Sequence, residues 1–400
     1  MKKILMLGGS AQQVPAIEAA REMGYYTVLI DYLPDNPGQL VADKWYQEST
    51  TDIDAVYRIA KEEEVSGILP YASDPAALPA AIVAERLGLP TNPSASVEIL
   101  GVKHKFRRFL QVNGFASPQA TTFNPSDTLE CIERKISSLR FPIIIKPTDS
   151  SGSKGVTLLD NIHGLSSAIC HADEYSRNKI IIAEEFIERG YPYVIGGDIF
   201  VTEGKIILFG NMACMRDNGG KSLIPIGKRL PDGLNKRQTA NLRHELQRLV
   251  SALHLKGGEM NIEIIVDKDD NIHFLELGPR AGGNMIPIQL SDAYGVDLIR
   301  ANISVAMGDK PTLELHDPGY CYLTHVLHSH INGEFQGIEF SDEIKRYIYR
   351  KVIYKKDGDK VSDFDGAGKA IGIIFMRFDS EKEMGSIQEE IDRHIHIILK

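Results

Sequence analysis

Short apolar runs alternate with helical patterns over the first ninety residues of the chain. The runs are long enough for buried β-strands, and the segments between them repeat apolar residues with the period of an α-helix. The strand-like runs lie at residues 4–7, 27–31 and 67–71, and the helical segments at residues 14–23, 53–64 and 75–87. Strands that alternate with helices predict a parallel, doubly wound sheet, whose ligands bind beyond the carboxyl ends of its strands. Ser73 and Asp74 follow such an end and are candidate ligand-binding residues, with helix N-capping as a compatible role.

A β-hairpin is predicted farther along the chain. Two apolar runs, residues 262–266 and 272–277, flank the turn-forming residues 267–271. Each run carries one acid within otherwise apolar surroundings, Glu263 in the first and Glu276 in the second.

These two acids are the candidate metal ligands. A lone carboxylate in a buried strand is costly unless positive charge neutralises it, and two on paired strands can face one point. Magnesium with nucleotide phosphates fits this arrangement, because it takes few protein carboxylates. Arg280 follows Glu276 by four residues and is near enough to share the site. Two strand acids that simply face solvent are the alternative.

The composition is that of a globular protein, with 43% hydrophobic and 25% charged residues. A net charge of −9 argues against nucleic acid or an anionic membrane surface as a partner. Cys131, Cys170, Cys214 and Cys321 lie far apart with no CxxC pair, which is typical of reduced thiols in a cytoplasmic protein. The run at residues 4–7 is too short for an export signal, and no run approaches the about 20 apolar residues of a membrane span.

A loop rich in glycine and serine follows the strand-like run at residues 141–146, which ends in Lys146. Backbone N–H groups of such a loop can surround an anion, and a lysine adds a full positive charge. The loop residues concerned are Ser151, Gly152, Ser153 and Gly155. A flexible hairpin loop is the alternative, since the GxxxxGK[ST] motif is absent.

The run at residues 180–183 leads into two acids and two apolar residues, Glu184, Glu185, Phe186 and Ile187. This segment suits a linker between two lobes. Its exposed backbone can hydrogen-bond an adenine edge, while Phe186 and Ile187 supply apolar walls. Polar residues that simply end a strand of a hairpin are the alternative interpretation.

The order of these pieces resembles the ATP-grasp family, over about residues 1–310 and more loosely beyond them. The resemblance implies that Lys103 and Lys146 bind the nucleotide phosphates, although a solvated helix face is the default for Lys103 and its basic neighbours Lys105, Arg107 and Arg108. It further implies that residues 151–155 close over the phosphates and that Glu263 and Glu276 bridge Mg²⁺, with Mn²⁺ as the substitute.

The adenine contacts are also implied by the resemblance. Glu184 is expected to contact the adenine amino group, and the backbone of Glu185 and Ile187 to bind the adenine edge. Glu188 is the best local candidate for the acid that binds the ribose, because the usual position after the linker lacks one. Gly278 stands where the family usually has an asparagine, so water, Asn284 or a weakly bound second metal is expected there.

The architecture implied is α/β, with an N-terminal doubly wound parallel sheet (the pre-ATP-grasp domain) at residues 1–95. A two-lobed α+β ATP-grasp region is expected at residues 96–312, and a small mainly-β region at residues 313–400. Within the middle region, the lid is expected at about residues 118–188 and an antiparallel-sheet lobe at about residues 189–312. The last region is expected to shape the substrate pocket or to form a homodimer interface.

The activity implied is phosphoryl transfer from ATP to a small-molecule carboxylate, followed by attack of an amine, or less often a thiol, on the acyl phosphate. Arg280 is expected to orient the carboxylate, because its planar fork suits bidentate contact. The loop Gly282, Gly283 and Asn284 offers backbone donors and an amide to the substrate. Ser73 and Asp74 are candidates for binding the amine.

Three alternatives remain open. A nicotinamide oxidoreductase would use Gly8, Gly9 and Asp31, but the G-x-G-x-x-G pattern is absent. A nucleotide-binding protein without turnover is the second, motivated by Gly278. A carboxylase that acts through carboxyphosphate, as in purine biosynthesis, is the third.

Several residues have weaker signals. His328 and His330 share a face of a strand-like segment that also contains His325, but no third metal ligand is evident, so a histidine pair without metal is favoured. Lys228 and Arg229 lie in a loop rich in glycine and proline, which lines the active site or is merely solvated.

Overall fold

The computed structural model describes residues 1–150, 154–217 and 224–400, and the elements and sheets given below are those of these residues. The chain begins with a parallel sheet in the strand order β3-β2-β1-β4. Its elements are β1 (Lys3–Leu7), α1 (Val14–Glu22), β2 (Tyr26–Ile30), β3 (Lys44–Tyr46), α2 (Ile53–Glu62), β4 (Gly67–Leu69) and α3 (Asp74–Leu87). The predicted parallel sheet is confirmed. Helix α3 ends at Gly88, whose φ of 67° is a left-handed conformation that glycine adopts without a steric cost.

An antiparallel sheet follows, in the order β5-β8-β6-β7. Two helices lead to it, α4 (Ser94–Gly101) and α5 (Lys103–Val112). Its elements are β5 (Ala120–Phe123), α6 (Leu129–Ile136), β6 (Ile143–Pro147), β7 (Thr157–Leu159), α7 (Leu165–Glu174) and β8 (Ile181–Glu185). The predicted loop residues Ser151, Gly152 and Ser153 lie outside the described residues.

A large antiparallel sheet forms the centre of the molecule. Its first part contains β9 (Val194–Thr202), β10 (Lys205–Arg216), β11 (Pro225–Leu230), α8 (Lys236–Ala252), β12 (Gly257–Val266), β13 (Ile272–Gly278), α9 (Ile286–Tyr294) and α10 (Leu298–Ala306). The C-terminal part contains β14 (Cys321–Leu327), β15 (Gly333–Phe340), α11 (Asp342–Lys345), β16 (Ile348–Ile353), β17 (Lys360–Val361), β18 (Gly372–Phe378), α12 (Glu381–Glu389), α13 (Ile391–His394) and β19 (Ile395–Leu399).

The strand order of this sheet is β13-β12-β9-β10-β11-β14-β18-β16. It is continuous across residue 312, because β11 pairs with β14. The strands β17, β15 and β19 form a separate small sheet. The mixed α/β class, with a parallel sheet first and antiparallel sheets after it, agrees with the sequence-based prediction.

Helices cover both faces of the central sheet. Alternate residues of a strand point to opposite faces, so the consecutive Ile199 and Phe200 of β9 enter different cores. On one face Ile199 packs in a core with α8, which presents Leu242, Leu246 and Leu249 at helical spacing. On the other face Phe200 packs with residues of α9 and α10. This double coverage explains why β9 is buried almost throughout.

None of the helices in the described parts of the chain combines the length and the apolar character needed to cross a membrane.

Candidate active site

The predicted hairpin is confirmed in β12 and β13, and it places Glu263 directly opposite Glu276. The turn is closed by Asp267, whose Oδ1 accepts hydrogen bonds of 2.9 Å from the backbone N–H groups of Asp269 and Asn271. Residues opposite one another in an antiparallel pair project from the same face of the sheet. The two acids therefore share a face, and their side chains are 29% and 40% exposed.

Glu276 is paired with the first residue of α5. Lys103 Nζ lies 2.7 Å from Glu276 Oε1 and 2.5 Å from the carbonyl oxygen of Ser150. The backbone N–H of Lys103 donates to Thr148 O at 2.9 Å. Lys103 therefore joins the hairpin to the segment that leads from β6 into the glycine and serine loop.

Glu263 is paired with Arg216, the last residue of β10. Burial by itself raises the pKa of a carboxyl group, but the positive charges of Arg216 and Lys228 hold the pKa of Glu263 below its usual value. Lys228 is buried on β11 and contacts Cys214 Sγ at 2.5 Å. Both candidate metal ligands are thus faced by cations.

A buried ion-pair triad lies beside this group. Glu184 Oε2 is 2.6 Å from Lys146 Nζ, and Glu184 Oε1 is 2.9 Å from Arg107 Nε. Burial by itself raises the pKa of Glu184, but the two cations outweigh it and lower that pKa to about 2. Burial lowers the pKa of Lys146, against the charge of Glu184. The triad therefore holds Lys146 at the end of β6.

Arg107 corrects the expectation of a solvated helix face. It is 2% exposed, and its Nη1 and Nη2 donate to the carbonyl oxygens of Phe274 and Leu275, each at 3.1 Å. An arginine can be buried when all of its donors find acceptors and a carboxylate balances its charge. Lys103 contacts Glu276, whereas Lys105 pairs with Glu98 on the surface.

The expected linker begins within β8, whose last two residues are Glu184 and Glu185. Glu185 is turned away from the triad, and its carboxylate contacts Arg140 at 2.8 Å. The backbone N–H groups of Glu185 and Phe186 donate to Gln119 O and Pro142 O, each at 2.9 Å. Among the described residues, no acceptor is found for the backbone N–H of Ile187.

Exposure of the linker residues varies. Phe186 is 40% exposed, Ile187 is half-buried and Glu188 is exposed. The N–H of Ile187 and the ring of Phe186 are thus accessible as polar and apolar contacts. Gly155, at the far side of the glycine and serine loop, has a φ of 72°, and a Cβ there would lie 3.0 Å from Pro147 Cδ.

Arg280 contacts Asp74 across the junction with the N-terminal sheet. Its Nε and Nη2 donate to the two oxygens of Asp74 at 2.7 and 2.6 Å, and its Nη1 donates to Ala281 O at 3.0 Å. Burial raises the pKa of a carboxyl group, but the Arg280 charge holds the pKa of Asp74 below its usual value. Ser73 precedes α3 without a side-chain capping bond. The structure therefore brings two predicted substrate residues together, as partners of one another.

Gly278 borders the same salt bridge. A Cβ at this position would lie 3.3 Å from both Arg280 Cζ and Asp74 Oδ1. These distances are tight, so the glycine leaves room for the Arg280–Asp74 pair. In the part of the chain that the structure describes, Asn284 makes no hydrogen bond to Glu263 or Glu276, the two candidate metal ligands. Its backbone N–H donates to Gln12 Oε1 at 2.7 Å.

The loop after Arg280 rests on a buried acid pair that the sequence analysis missed. The N–H of Gly282 donates to Asp198 Oδ2 at 2.7 Å, so this donor is already satisfied. Asp198 also accepts from Asn261 Nδ2 at 2.7 Å. Burial and the nearby Asp198 raise the pKa of Glu259 well above its usual value. A Cβ at Gly283 would lie 3.5 Å from Gln12 Oε1, which is an ordinary van der Waals contact.

The contacts that the sequence did not reveal share one property, which is that the two partners are remote in sequence. Arg107 and Glu184 are an example, as are Arg216 and Glu263. A polar residue in an otherwise apolar run, such as Asp198 or Glu259, was a usable signal.

Comparisons with known proteins place the chain among nucleotide-binding relatives. The sequence model of the family described as "Carbamoyl-phosphate synthase L chain, ATP binding domain" matches residues 103–314, more than half of the chain. The carbamoyl phosphate synthase large chain of Thermotoga sp. (strain RQ2) is 23% identical over 323 residues, which cover 77% of this chain and 28% of that relative. The present chain thus spans little more than a quarter of that relative's length.

Solved structures show the same fold. The L-amino acid ligase from Bacillus licheniformis has a TM-score of 0.84 at 21% identity, with 100% of this chain and 99% of that chain covered. The biotin carboxylase domain of Hydrogenobacter thermophilus 2-oxoglutarate carboxylase, crystallised with MgADP, ADP and bicarbonate, has a TM-score of 0.78 at 16% identity, with 100% and 92% covered. At these identities the likeness concerns the fold.

Proposed function

The chain belongs to the family of carbamoyl-phosphate synthase L chain ATP-binding domains, an ATP-grasp family, and from this premise we propose that it is an ATP-dependent carboxylate–amine ligase. The observation that carries the proposal is the cross-strand pairing of Glu263 with Glu276, on a face where Lys103 and Arg216 supply positive charge. A nucleoside triphosphate with a divalent cation is suited by acids that bind the cation and by basic residues that neutralise the phosphates.

Mg²⁺ fits the residues present. Glu263 and Glu276 would hold it, because both are partly exposed on one face and carboxylate oxygens are ligands that magnesium prefers. When bound, the ion offsets negative charge on the phosphates. Without the ion, Lys103 and Arg216 neutralise the two acids. Both side chains are long and can turn toward phosphate oxygens.

The nucleotide is proposed to lie between the β6 and β12–β13 sides of the site. Lys146 is fixed by Glu184 at the end of β6 and supplies a positive charge for the α- and β-phosphates. The N–H of Ile187 is available to an adenine ring nitrogen, and Phe186 offers an apolar surface. Glu184 keeps a positioning role through Lys146, because both of its oxygens are engaged by cations.

The reaction proposed has two steps. A carboxylate oxygen of the substrate attacks the γ-phosphorus, and the bond to the leaving ADP breaks. An amine then attacks the acyl carbon, phosphate leaves and the amine loses a proton. The residues of the chain position the reactants and neutralise charge, so no protein nucleophile is needed.

The substrate carboxylate is proposed to bind near Arg280. The guanidinium of Arg280 is permanently charged, and Asp74 holds it in a fixed orientation. This location joins the carboxyl ends of the N-terminal strands to the hairpin that carries Glu276. The name of the Bacillus licheniformis neighbour, an L-amino acid ligase, supports a carboxylate and amine pair as the substrate class.

A phosphate-release screen tests the function. Purified protein with Mg²⁺ and ATP is assayed against pairs of small carboxylates and amines, with Glu276→Gln as the inactive control. Release that requires both partners supports the ligase, and the condensed product is identified by mass spectrometry. Release that depends on bicarbonate would replace the ligase by a carboxylase, and saturable ATP binding without release under all pairs would replace it by a nucleotide-binding protein.

Finer proposals concern the metal, the assembly and the domains. We propose that Mn²⁺ substitutes for Mg²⁺, which the same assay tests by exchange of the ion.

A homodimer is proposed through the C-terminal region, and light scattering on the purified protein measures it. Limited proteolysis tests the proposed divisions near residues 95 and 312; the sheet pairing of β11 with β14 predicts protection at the second.

A further inference from the structure

Asp217, His328 and His330 converge at one edge of the central sheet. Strands β10 and β14 both pair antiparallel with β11, so they run in the same direction and end at the same edge. Asp217 follows the end of β10, and His328 follows the end of β14. The two histidines are two residues apart in the chain, and their ring centroids lie 5.4 Å apart. Strand pairing brings Asp217, which is remote in sequence, to the histidine pair as a third candidate ligand.

The geometry of the donor atoms is that of a metal site. One ligand atom from each of Asp217, His328 and His330 lies within 4.8 Å of the others. His330 Nε2 is 3.3 Å from Asp217 Oδ2. Two ligands at the about 2.0–2.1 Å of zinc bonds, in tetrahedral arrangement, lie about 3.3 Å apart. The side chains need little movement to close around an ion.

A neighbouring carbonyl sets the tautomer of His328, and Asp363 contacts the remote ring nitrogen of His330. His328 Nδ1 lies 2.7 Å from the carbonyl oxygen of Val326, which can only accept, so Nδ1 carries the proton and Nε2 keeps its lone pair. His330 Nδ1 lies 3.2 Å from Asp363 Oδ1, which leaves Nε2 toward Asp217. A second partner that holds the remote ring nitrogen is the usual arrangement around histidine ligands of metals.

The surroundings give the site a rigid side and an open side. The ring of Phe364, which is fully buried, packs on His328 with 4.4 Å between centroids. On the other side a cavity of about 600 Å³ is lined by Asp217, His328 and His330 together with residues of α12 and α13. Two imidazoles and one carboxylate with open positions form a donor set that suits zinc and related divalent transition metals.

We propose that Asp217, His328 and His330 bind a divalent transition-metal ion of the zinc class, at a site separate from the carboxylate pair Glu263 and Glu276. The two sites differ in chemistry, because nitrogen ligands favour Zn²⁺ whereas the carboxylates favour Mg²⁺. An ion here would tie β10 to the C-terminal end of β14. The alternative for the same residues is an ion pair of a protonated His330 with Asp217 and Asp363.

Calorimetric titration of Zn²⁺ into the untagged full chain, in excess Mg²⁺, tests the site. The wild-type protein is expected to bind one equivalent. His328→Ala, His330→Ala and Asp217→Asn should each weaken the affinity by at least about 100-fold, and Asp363→Asn by roughly 10-fold to 100-fold through His330. The controls His244→Ala, an exposed histidine of α8, and Glu276→Gln should bind as the wild type does.

Replacement by Co²⁺ gives a readout independent of heat. Visible absorption typical of a cobalt ion with nitrogen ligands should appear with the wild type and the two controls and be absent from the three ligand variants. Circular dichroism and thermal melting without metal verify that each variant folds. Saturable binding lost only with Glu276→Gln, or binding retained in all three ligand variants, would overturn the proposal, as would the absence of binding to the wild type.

Discussion

The two glutamates that contact lysines in the active site, Glu184 and Glu276, have opposite environments. Glu184 is 4% exposed and held between Lys146 and Arg107, whereas Glu276 is 40% exposed and contacts Lys103. A buried carboxylate with two cations has its charge fixed by the fold, because each ion would be strongly destabilised alone. A half-exposed carboxylate that contacts a single lysine can exchange that partner for a metal ion. Glu184 therefore maintains the structure of the site, whereas Glu276 is proposed to act in it.

The largest effect is expected from Glu184→Gln, and it is on stability. The change leaves Arg107 and Lys146 buried without a counter-charge, and removal of one partner of a buried ion pair costs about 3–5 kcal/mol. Chemical denaturation of the wild type and the variant measures the difference. The neighbouring Glu185→Gln is the matched control, since Glu185 pairs with an exposed arginine and should change stability little. Equal losses for the two variants would contradict the structural role of the triad.

Glu276→Gln should act on turnover instead. Loss of this proposed metal ligand is expected to reduce ATP-dependent phosphate release by roughly 100-fold or more. Melting temperature should hardly change, because the contact to Lys103 is partly solvated. Glu133→Gln, at an exposed position of α6, is the control for the chemical change. A variant with wild-type rates would refute the metal assignment.

Lys146→Ala falls between the two classes, because its lysine belongs to the triad and is proposed to reach the phosphates. Loss of a charged hydrogen-bond donor is worth about 1.5–3 kcal/mol, so the dissociation constant for ATP should rise roughly 10-fold to 100-fold. Arg107 still balances Glu184, which limits the loss of melting temperature. Calorimetric titration measures the affinity, with the exposed Lys135→Ala as control. Unchanged ATP affinity would count against the phosphate role.

The smallest effect expected is a pH dependence of the Glu184 contribution. The folded-state pKa of about 2 lies below the unfolded value of 4.5, so the stabilisation is present above about pH 4.5 and is lost as the pH falls toward 2. The difference in unfolding free energy between the wild type and Glu184→Gln should therefore shrink over this interval. Denaturation curves at several pH values measure it. A constant difference would show that ionisation of Glu184 is not its source.

Much of the site was predictable because its signals are local. The acids Glu263 and Glu276 were visible as charges in apolar runs, and their hairpin was set by the turn residues between them. The parallel sheet followed from alternation of strand-like and helical segments, which depends on burial and not on details of packing. The end of α3 at Gly88 likewise follows from one residue's conformational freedom.

Other residues could not be assigned from local signals. The basic residues of α5 look alike in sequence, yet Lys103 contacts Glu276, Lys105 pairs on the surface and Arg107 is buried. Their directions depend on how α5 packs against β13 and β8. Arg280 was expected to orient the substrate carboxylate, and its pairing with Asp74 arises from contact between segments 206 residues apart.

The sequence by itself determined the class of the fold, the hairpin with its two acids and the resemblance to ATP-grasp enzymes, because turn residues, apolar periodicity and motif order are properties of neighbouring residues. The tertiary structure decided which charges meet. Arg107 contacts Glu184, Arg216 contacts Glu263, and Asp217 approaches His330 only after the strands have paired. The physical reason is that the free energy of a charge depends on its burial and its partners, and both are set by contacts between distant parts of the chain.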